Sequence, residues 1–209
     1  YENVAQYLPK PIEARNEEWI SPVIITVRDL ETEKMQQGIA LGRKVLDALQ
    51  MDTGFTHMEW FRREDGTVAI GEIAQRPPGA HITRMIGLAG EFDPYRAWAR
   101  AVVDAAFDGP YPQQHAVGCA YLRGIGRGRV TRVEGVDAAQ KACAGRIVEA
   151  RLPRVGAFKN DSYEGDGHAI VRRDDPRMSG FGDDGVDGAV VEGDRSAEGL
   201  PAVGGLGDE

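Results

Sequence analysis

The sequence predicts an α+β protein, and three observations indicate this class. A β-branched apolar run at 23–27 is typical of a buried strand, and residues 31–50 carry apolar side chains at roughly helical spacing. Two apolar-rich runs within 57–74 flank the dipeptide Asp65-Gly66, which is a strong short-range hairpin signal. The chain therefore predicts an antiparallel sheet with helices, followed by a small β-rich module.

The first predicted strand follows Ser21-Pro22, and the helix predicted over 31–50 follows it. The apolar stripe of this helix consists of Met35, Ile39, Leu41, Val45, Leu46 and Leu49. Gly38 and Gly42 weaken the helical pattern, and either glycine would permit another element to pack closely.

Beyond the hairpin, Pro77-Pro78-Gly79 ends the second strand because proline cannot donate to a sheet ladder. A short helix is predicted over 81–89, whose N-terminus would suit an anion. Asp93 and Pro94 are a favourable N-cap and first residue for the next helix. The apolar side of that helix is assigned to Tyr95, Trp98, Val102 and either Val103 or Phe107, with Tyr95 and Trp98 in the core.

The later part of the chain predicts short strands at 116–122, 128–135 and 145–152, with a short helix at 137–143. The Gly-rich string at 124–129 lies between two of these strands. It is therefore interpreted as a turn, since a dinucleotide-binding loop leads from a strand into a helix.

Charge separates the last part of the chain from the rest. Residues 174–209 hold ten acidic and two basic side chains, so that 1–173 are neutral although the whole chain carries −8. Nine glycines and one aromatic residue in 174–209 predict a disordered acidic tail. An acidic interaction tail is the alternative. The predicted organisation is a lobe at 1–108, a β-rich module at 109–173 and this tail.

The most informative feature is a pair of acids on the hairpin. If Asp65-Gly66 forms a two-residue turn, Glu59 lies directly across from Glu72. Opposed carboxylates about 5 Å apart repel by roughly 3 kcal/mol at an effective dielectric of about 20. A hard divalent cation with oxygen ligands would neutralise this repulsion. Arg76 has the same strand parity as Glu72 and would project beside the acids.

Two alternatives stay open for this hairpin. The acids would simply face water if the ribbon were exposed, although Phe61 and Ile70 on their face, and Met58 and Trp60 on the other, indicate packing on both sides. A three-residue loop would shift one strand and place the acids on opposite faces.

These residues resemble a known family. A strand Glu, a hairpin, and a second Glu followed by Arg-Pro-Pro-Gly are similar to the metal-binding end of ATP-grasp enzymes, in the branch of biotin carboxylases and amino-acid ligases. The likeness is strongest over 51–105. It implies the second lobe of an ATP-grasp fold, followed by the small β-rich module and the tail.

The resemblance implies roles for individual residues. Glu59 and Glu72 would be ligands of one or two Mg²⁺ ions that bridge ATP phosphates, and Arg76 would contact a phosphate or acyl-phosphate. Phe61 matches a position that lies against adenine. Ala74 departs from the family, where Asn often completes a metal shell, so the second metal would be held more weakly.

The implied activity is ATP-dependent ligation of a carboxylate, through an acyl-phosphate, to an amine or similar nucleophile. In the family a preceding lobe supplies lysines and a flap over the phosphates. The opening of the chain from Tyr1 reads like the middle of a longer protein, so we expect this chain alone to bind Mg–ATP poorly and to be inactive. The alternative is a non-catalytic remnant or interaction module, and carboxylation of biotin has less support.

Other classes have little support in the sequence. The resemblance implies small-molecule carboxylate and amine substrates. Without a basic footprint, a long apolar run or a signal-peptide pattern, we expect no nucleic acid, no membrane and a cytoplasmic protein, with a homodimer left open. Zinc-ligand spacings and nucleophile motifs are lacking. For His57 a packed or solvated role is favoured over a place in the site, and His81 follows the Arg-Pro-Pro-Gly loop, where it could reach a substrate. His115 and His168 are assigned to turns.

Overall fold

The computed structural model describes residues 1–174 and contains both predicted classes of element. The strands are β1 (Val4–Leu8), β2 (Val23–Val27), β3 (His57–Arg62), β4 (Val68–Ala74), β5 (Ala116–Leu122), β6 (Ile147–Arg151) and β7 (Gly167–Arg173). The helices are α1 (Pro11–Asn16), α2 (Glu33–Ala48), α3 (Ile82–Gly90), α4 (Pro94–Val103) and α5 (Val136–Ala142). The predicted α+β class is confirmed.

The strands form two antiparallel sheets. A five-stranded sheet has the order β1-β2-β5-β7-β6, and β3 pairs with β4 in a separate hairpin. The later strands β5, β6 and β7 thus share one sheet with β1 and β2. The proposed boundaries at 108 and 173 stay a prediction.

The core lies between the larger sheet and helix α3. Ile24 of β2, Tyr121 of β5 and Ile170 of β7 are fully buried, and Met85 of α3 packs against them. Helix α3 is apolar around most of its circumference, which is typical of a helix covered by protein. This packing fixes the start of α3, where His81 lies, against the sheet.

The hairpin rests on helix α2 through the two glycines singled out in the sequence. A Cβ added at Gly38 would lie 2.5 Å from the Trp60 indole, and one added at Gly42 would lie 3.1 Å from Met58. Both glycines therefore permit close packing, as predicted. The apolar face of the hairpin is the one that carries Met58 and Trp60.

Three local predictions are wrong. Residues 128–135 form no strand apart from an isolated bridge at Arg129, because this segment is an exposed loop. His168 lies in β7 and not in a turn. On α4, small residues face the protein, Ala97 and Ala101 among them, whereas Tyr95 is 56% exposed.

The N-terminus of α4 is capped by the residue that the sequence predicts. The Asp93 carboxylate accepts hydrogen bonds from the backbone N–H groups of Tyr95 and Arg96, as its assignment as N-cap predicts.

No helix among residues 1–174 is both long and apolar enough to cross a membrane. The predicted disordered tail lies, from 175 onward, outside the described residues.

Candidate functional site

The hairpin turn differs from its prediction. Gly66 N–H donates to the carbonyl of Arg63 (3.0 Å), and Arg63 N–H donates to the carbonyl of Thr67 (2.8 Å). The loop therefore has three residues, and Gly66 occupies its left-handed position with φ 81°. The predicted two-residue turn at Asp65-Gly66 is wrong. The Asp65 carboxylate instead stabilises the loop by accepting from Thr67 N–H (2.9 Å).

A β-bulge restores the pairing that this loop would have shifted. From the loop to Trp60, which pairs with Ile70, the strands are offset by one residue from the predicted register. The register then shifts between Glu59 and Trp60, and Gly71 is the extra residue. Beyond the bulge Glu59 pairs directly with Glu72.

Gly71 has a steric reason to be glycine. The Phe61 ring lies over its Cα, where a β-carbon would collide with the ring. The bulge thus uses a residue without a side chain, and Phe61 fills the space. Phe61 remains 52% exposed on the same side of the ribbon as the acids. It can therefore offer a flat apolar surface to a ligand.

The face that carries the acids is open in the described part of the chain. Both Glu59 and Glu72 are exposed, so the expectation that this face is packed like the other is wrong. The reason is that helix α2 covers only the Met58 and Trp60 side. Exposed carboxylates avoid the desolvation cost of buried charges and are accessible to a cation.

Two neighbours define the surroundings of the acidic pair. His57 Nε2 lies 3.6 Å from Glu72 Oε1, and the His57 side chain is only 15% exposed. Burial raises the pKa of Tyr7 on β1, and the negative charge of Glu59 adds to this shift. Glu59 is therefore near the β1 edge of the core, whereas Glu72 is next to an imidazole.

Arg76 and the loop after it lie at the end of β4. Arg76 is exposed, and its guanidinium donates to the carbonyl of Pro77 (3.0 Å). Ala80 and His81 both have positive φ, so the chain makes a tight left-handed entry into α3. The Thr83 hydroxyl holds this loop by donating to the carbonyl of Pro78 (2.5 Å). Contact of Arg76 with a phosphate stays a prediction.

A second polar cluster was not found by sequence reasoning. His81, Glu149 and His168 come together from the start of α3, from β6 and from β7. His168 Nε2 is 3.2 Å from Glu149 Oε1, and the rings of His81 and His168 lie 3.9 Å apart. Motif spacing cannot detect residues so far apart in sequence. The alternation of His168 with Ile170 was the available signal for β7.

Electrostatics differ among members of this cluster. The hydrogen bond from His168, followed by that from Arg84, lowers the pKa of Glu149. Burial, followed by the charge of His168, lowers the pKa of His81. The cluster borders a cavity of about 460 Å³ whose wall includes Asn160 and Glu164.

Comparison with solved structures connects this geometry to known proteins. The chain is similar to an L-amino acid ligase from Bacillus licheniformis (TM-score 0.60, 15% identity, 74% of this chain and 41% of that one). It is similar also to an N5-carboxyaminoimidazole ribonucleotide synthetase from Thermotoga maritima (TM-score 0.53, 20% identity, 74% and 42%). A third similar structure is a phosphoribosylglycinamide synthetase from Anaerococcus prevotii (TM-score 0.55, 13% identity, 74% and 41%).

These three proteins are ATP-grasp enzymes, and the chain has the fold of their C-terminal part. It spans about two fifths of their length. No family model and no curated protein matches the sequence. The likeness therefore establishes the fold, as predicted from the Glu–hairpin–Glu–Arg-Pro-Pro-Gly pattern. At these identities it does not establish the reaction.

Proposed function

We propose that this chain is the metal-binding part of an ATP-dependent ligase that joins a carboxylate to an amine or similar nucleophile. The observation that carries the proposal is the direct pairing of Glu59 with Glu72, which the bulge at Gly71 preserves despite the longer loop. The fold shared with ATP-grasp ligases supports the same reading.

The residues fit magnesium on chemical grounds. Mg²⁺ prefers oxygen ligands, keeps several waters and is commonly held by one or two carboxylates together with substrate phosphates. Glu59 and Glu72 supply two carboxylates on one open face, as such a site requires. Bound Mg²⁺ would neutralise charge on the phosphate oxygens of ATP.

The chain's own residues would position the substrates. Phe61 presents an exposed ring to adenine, and Arg76 presents a guanidinium that can stabilise the charge of a phosphate or acyl-phosphate. Phosphoryl transfer depends mainly on positioning and charge neutralisation, so the protein need not supply a nucleophile. The substrate carboxylate attacks the γ-phosphate, ADP leaves, and the amine then displaces phosphate from the acyl-phosphate.

His57 partly compensates for Ala74, which stands where the family often has Asn. These two residues pair across the hairpin, and the His57 imidazole points towards Glu72 at 3.6 Å. An imidazole at this distance can orient the Glu72 carboxylate, although it does not supply the oxygen ligand that Asn gives in the family. The second metal would therefore be the weaker one.

A non-catalytic module is the second candidate, and Ala74 is the observation that favours it. The chain alone is expected to release no measurable ADP under either reading. The two differ in a longer protein that contains this chain together with a preceding ATP-binding lobe, called the extended protein below. An enzyme requires lysines and a phosphate-covering flap there, and a module does not.

The test is nucleotide-dependent ADP release by the extended protein, screened against a panel of carboxylates and amines. Glu72→Ala should reduce the rate by at least about a hundredfold because charge neutralisation at phosphate is lost. The matched control is Glu64→Ala, an exposed acid in the loop of the same hairpin, which should keep the rate. A near-normal rate in Glu72→Ala would remove this residue from the mechanism.

A further inference from the structure

We infer that His81, Glu149 and His168 form a second metal site, one that binds a divalent first-row transition metal such as Zn²⁺. Each residue offers one ligand atom, and these atoms all lie within 4.8 Å of one another. The site is separate from the acidic hairpin and requires neither ATP nor the ligase reaction.

The register of the sheet brings the three side chains to one face. A bulge shifts the β6–β7 pairing between Ile147 and Glu149, so that Glu149 pairs with Ile170. Since paired residues share a face, Glu149 lies on the same side of the sheet as Ile170 and His168. This is the side covered by α3, and His81 stands at the start of that helix.

The distances are close to those of a bound ion. Zn²⁺ holds imidazole nitrogen and carboxylate oxygen at about 2.0–2.2 Å, so ligand atoms around one ion lie roughly 3–4 Å apart. His168 Nε2 and Glu149 Oε1, at 3.2 Å, already meet this spacing. Small side-chain rotations of His81 would complete a three-ligand set.

Neighbouring groups orient the carboxylate. Arg84 Nε donates to Glu149 Oε2 at 3.1 Å, while Oε1 faces His168. A carboxylate whose outer oxygen is held by a hydrogen bond is fixed for coordination through the inner one, as is usual around metal ligands. His168 is only 8% exposed, which limits competition from water.

The chemistry of the donor set selects the metal. Two imidazoles and one carboxylate suit zinc and its neighbours, whereas Mg²⁺ prefers oxygen alone. Three protein ligands leave a coordination position for water or a ligand donor. His81 and His168 line the cavity of about 460 Å³, which provides room for that donor.

The alternative is a hydrogen-bonded His–Glu–Arg network that holds no metal. Isothermal titration of the tag-free chain, freed of metal with a chelator, with ZnCl₂ separates the two. One equivalent of Zn²⁺ should bind, an excess of MgCl₂ should not displace it, and CoCl₂ should give a visible absorption band. Absence of binding by the folded chain would overturn the site.

Variants locate the ion. His81→Ala should weaken Zn²⁺ binding at least about tenfold, and so should His168→Gln; loss of even an outer-shell partner commonly costs 10–100-fold in metal affinity. His81 is half-buried and not in a strand, so His81→Ala keeps the test valid if the buried His168 variant misfolds.

Two controls lie outside the cluster. His115→Gln removes a different histidine, whose Nε2 is 2.9 Å from Glu91, and Cys143→Ser removes an accessible thiol. Both should bind Zn²⁺ like the unchanged chain. Binding that survives His81→Ala but disappears in either control would contradict the assignment. Because the titration uses no nucleotide, its failure would leave the proposed ligase function untouched.

Discussion

The acidic hairpin and the histidine cluster are both placed by a β-bulge, yet they differ in donors and in setting. The bulge at Gly71 keeps Glu59 opposite Glu72 on an exposed ribbon, and the bulge between Ile147 and Glu149 turns that glutamate towards the packed face of the larger sheet. The first site has oxygen donors open to solvent, and the second has imidazoles sheltered by α3.

The contrast between the two clusters shows how solvent exposure and donor type together determine which ligand a cluster can hold. Two exposed acids can accept a hydrated ion and a polyphosphate together, because nothing in residues 1–174 closes over them. The half-buried cluster offers space for one ion and one further donor. The hairpin depends on contacts with α2 for its position, whereas the cluster lies on strands of the larger sheet and at the start of α3.

The largest expected effect concerns the support of the hairpin. Gly38→Val would force a side chain into the Trp60 indole and should lower the free energy of unfolding by about 3 kcal/mol. Gly42→Ala is the matched control, since Met58 is flexible and alanine favours the helix. Urea denaturation of both variants measures the difference. Equal stabilities would show that the close contact at Gly38 does not hold the ribbon.

Zinc should stabilise the chain where magnesium does not. At a free concentration one hundred times its Kd, Zn²⁺ should add about 2.7 kcal/mol to the free energy of unfolding. Thermal unfolding of the 209-residue chain with ZnCl₂ or MgCl₂ makes the comparison. Equal shifts with the two salts would mean that the two sites do not differ in selectivity as described.

His57 should make a smaller contribution to the hairpin site. His57→Ala removes the imidazole 3.6 Å from Glu72, a contact expected to contribute on the order of 0.5 kcal/mol. The Mg²⁺ requirement for ADP release by the extended protein should therefore rise about two- to threefold. A change as large as that of Glu72→Ala would assign His57 a more direct role.

The smallest expected effect is a change in a side-chain pKa in the three-residue loop of the hairpin. This loop shifts the strand pairing, and the bulge at Gly71 is needed to restore it. Hydrogen bonds from the side chain and the backbone N–H of Thr67 hold the pKa of Asp65 below its ordinary value. A lowered carboxyl pKa stabilises the fold at neutral pH, and this contribution is lost as the pH falls through the folded-state pKa. NMR titration should show the Asp65 pKa moving up in Thr67→Val. An unchanged titration would contradict the hydrogen bond from the Thr67 hydroxyl to the Asp65 carboxylate.

Local signals in the sequence were sufficient for much of the fold. The β-branched run predicts β2, the Asp93-Pro94 cap predicts the start of α4, and Glu59 and Glu72 are opposed as the sequence predicts. The pairing of Glu59 with Glu72 was nevertheless derived from a turn that does not exist. The three-residue loop shifts the pairing of the two strands by one residue, and the bulge at Gly71 cancels this shift. Neither the loop length nor the bulge has a strong local signal in the sequence.

The histidine cluster could not be predicted for a different reason. Its members are separated by long stretches of chain and meet only through the β6–β7 register and the packing of α3. Burial on α4 failed similarly, because contacts with the rest of the fold selected the alanine face over the aromatic one. Long-range packing decides such positions, and pattern alone does not encode it.

The most direct test of the central claim is a double-mutant cycle on the acidic pair. Glu59→Gln, Glu72→Gln and the double variant are compared in the extended protein by ADP release as a function of Mg²⁺ concentration. If the two carboxylates hold the same magnesium site, each single variant raises the Mg²⁺ requirement, and the double variant loses little more than the worse single one. Additive losses with an unchanged Mg²⁺ requirement would contradict the account.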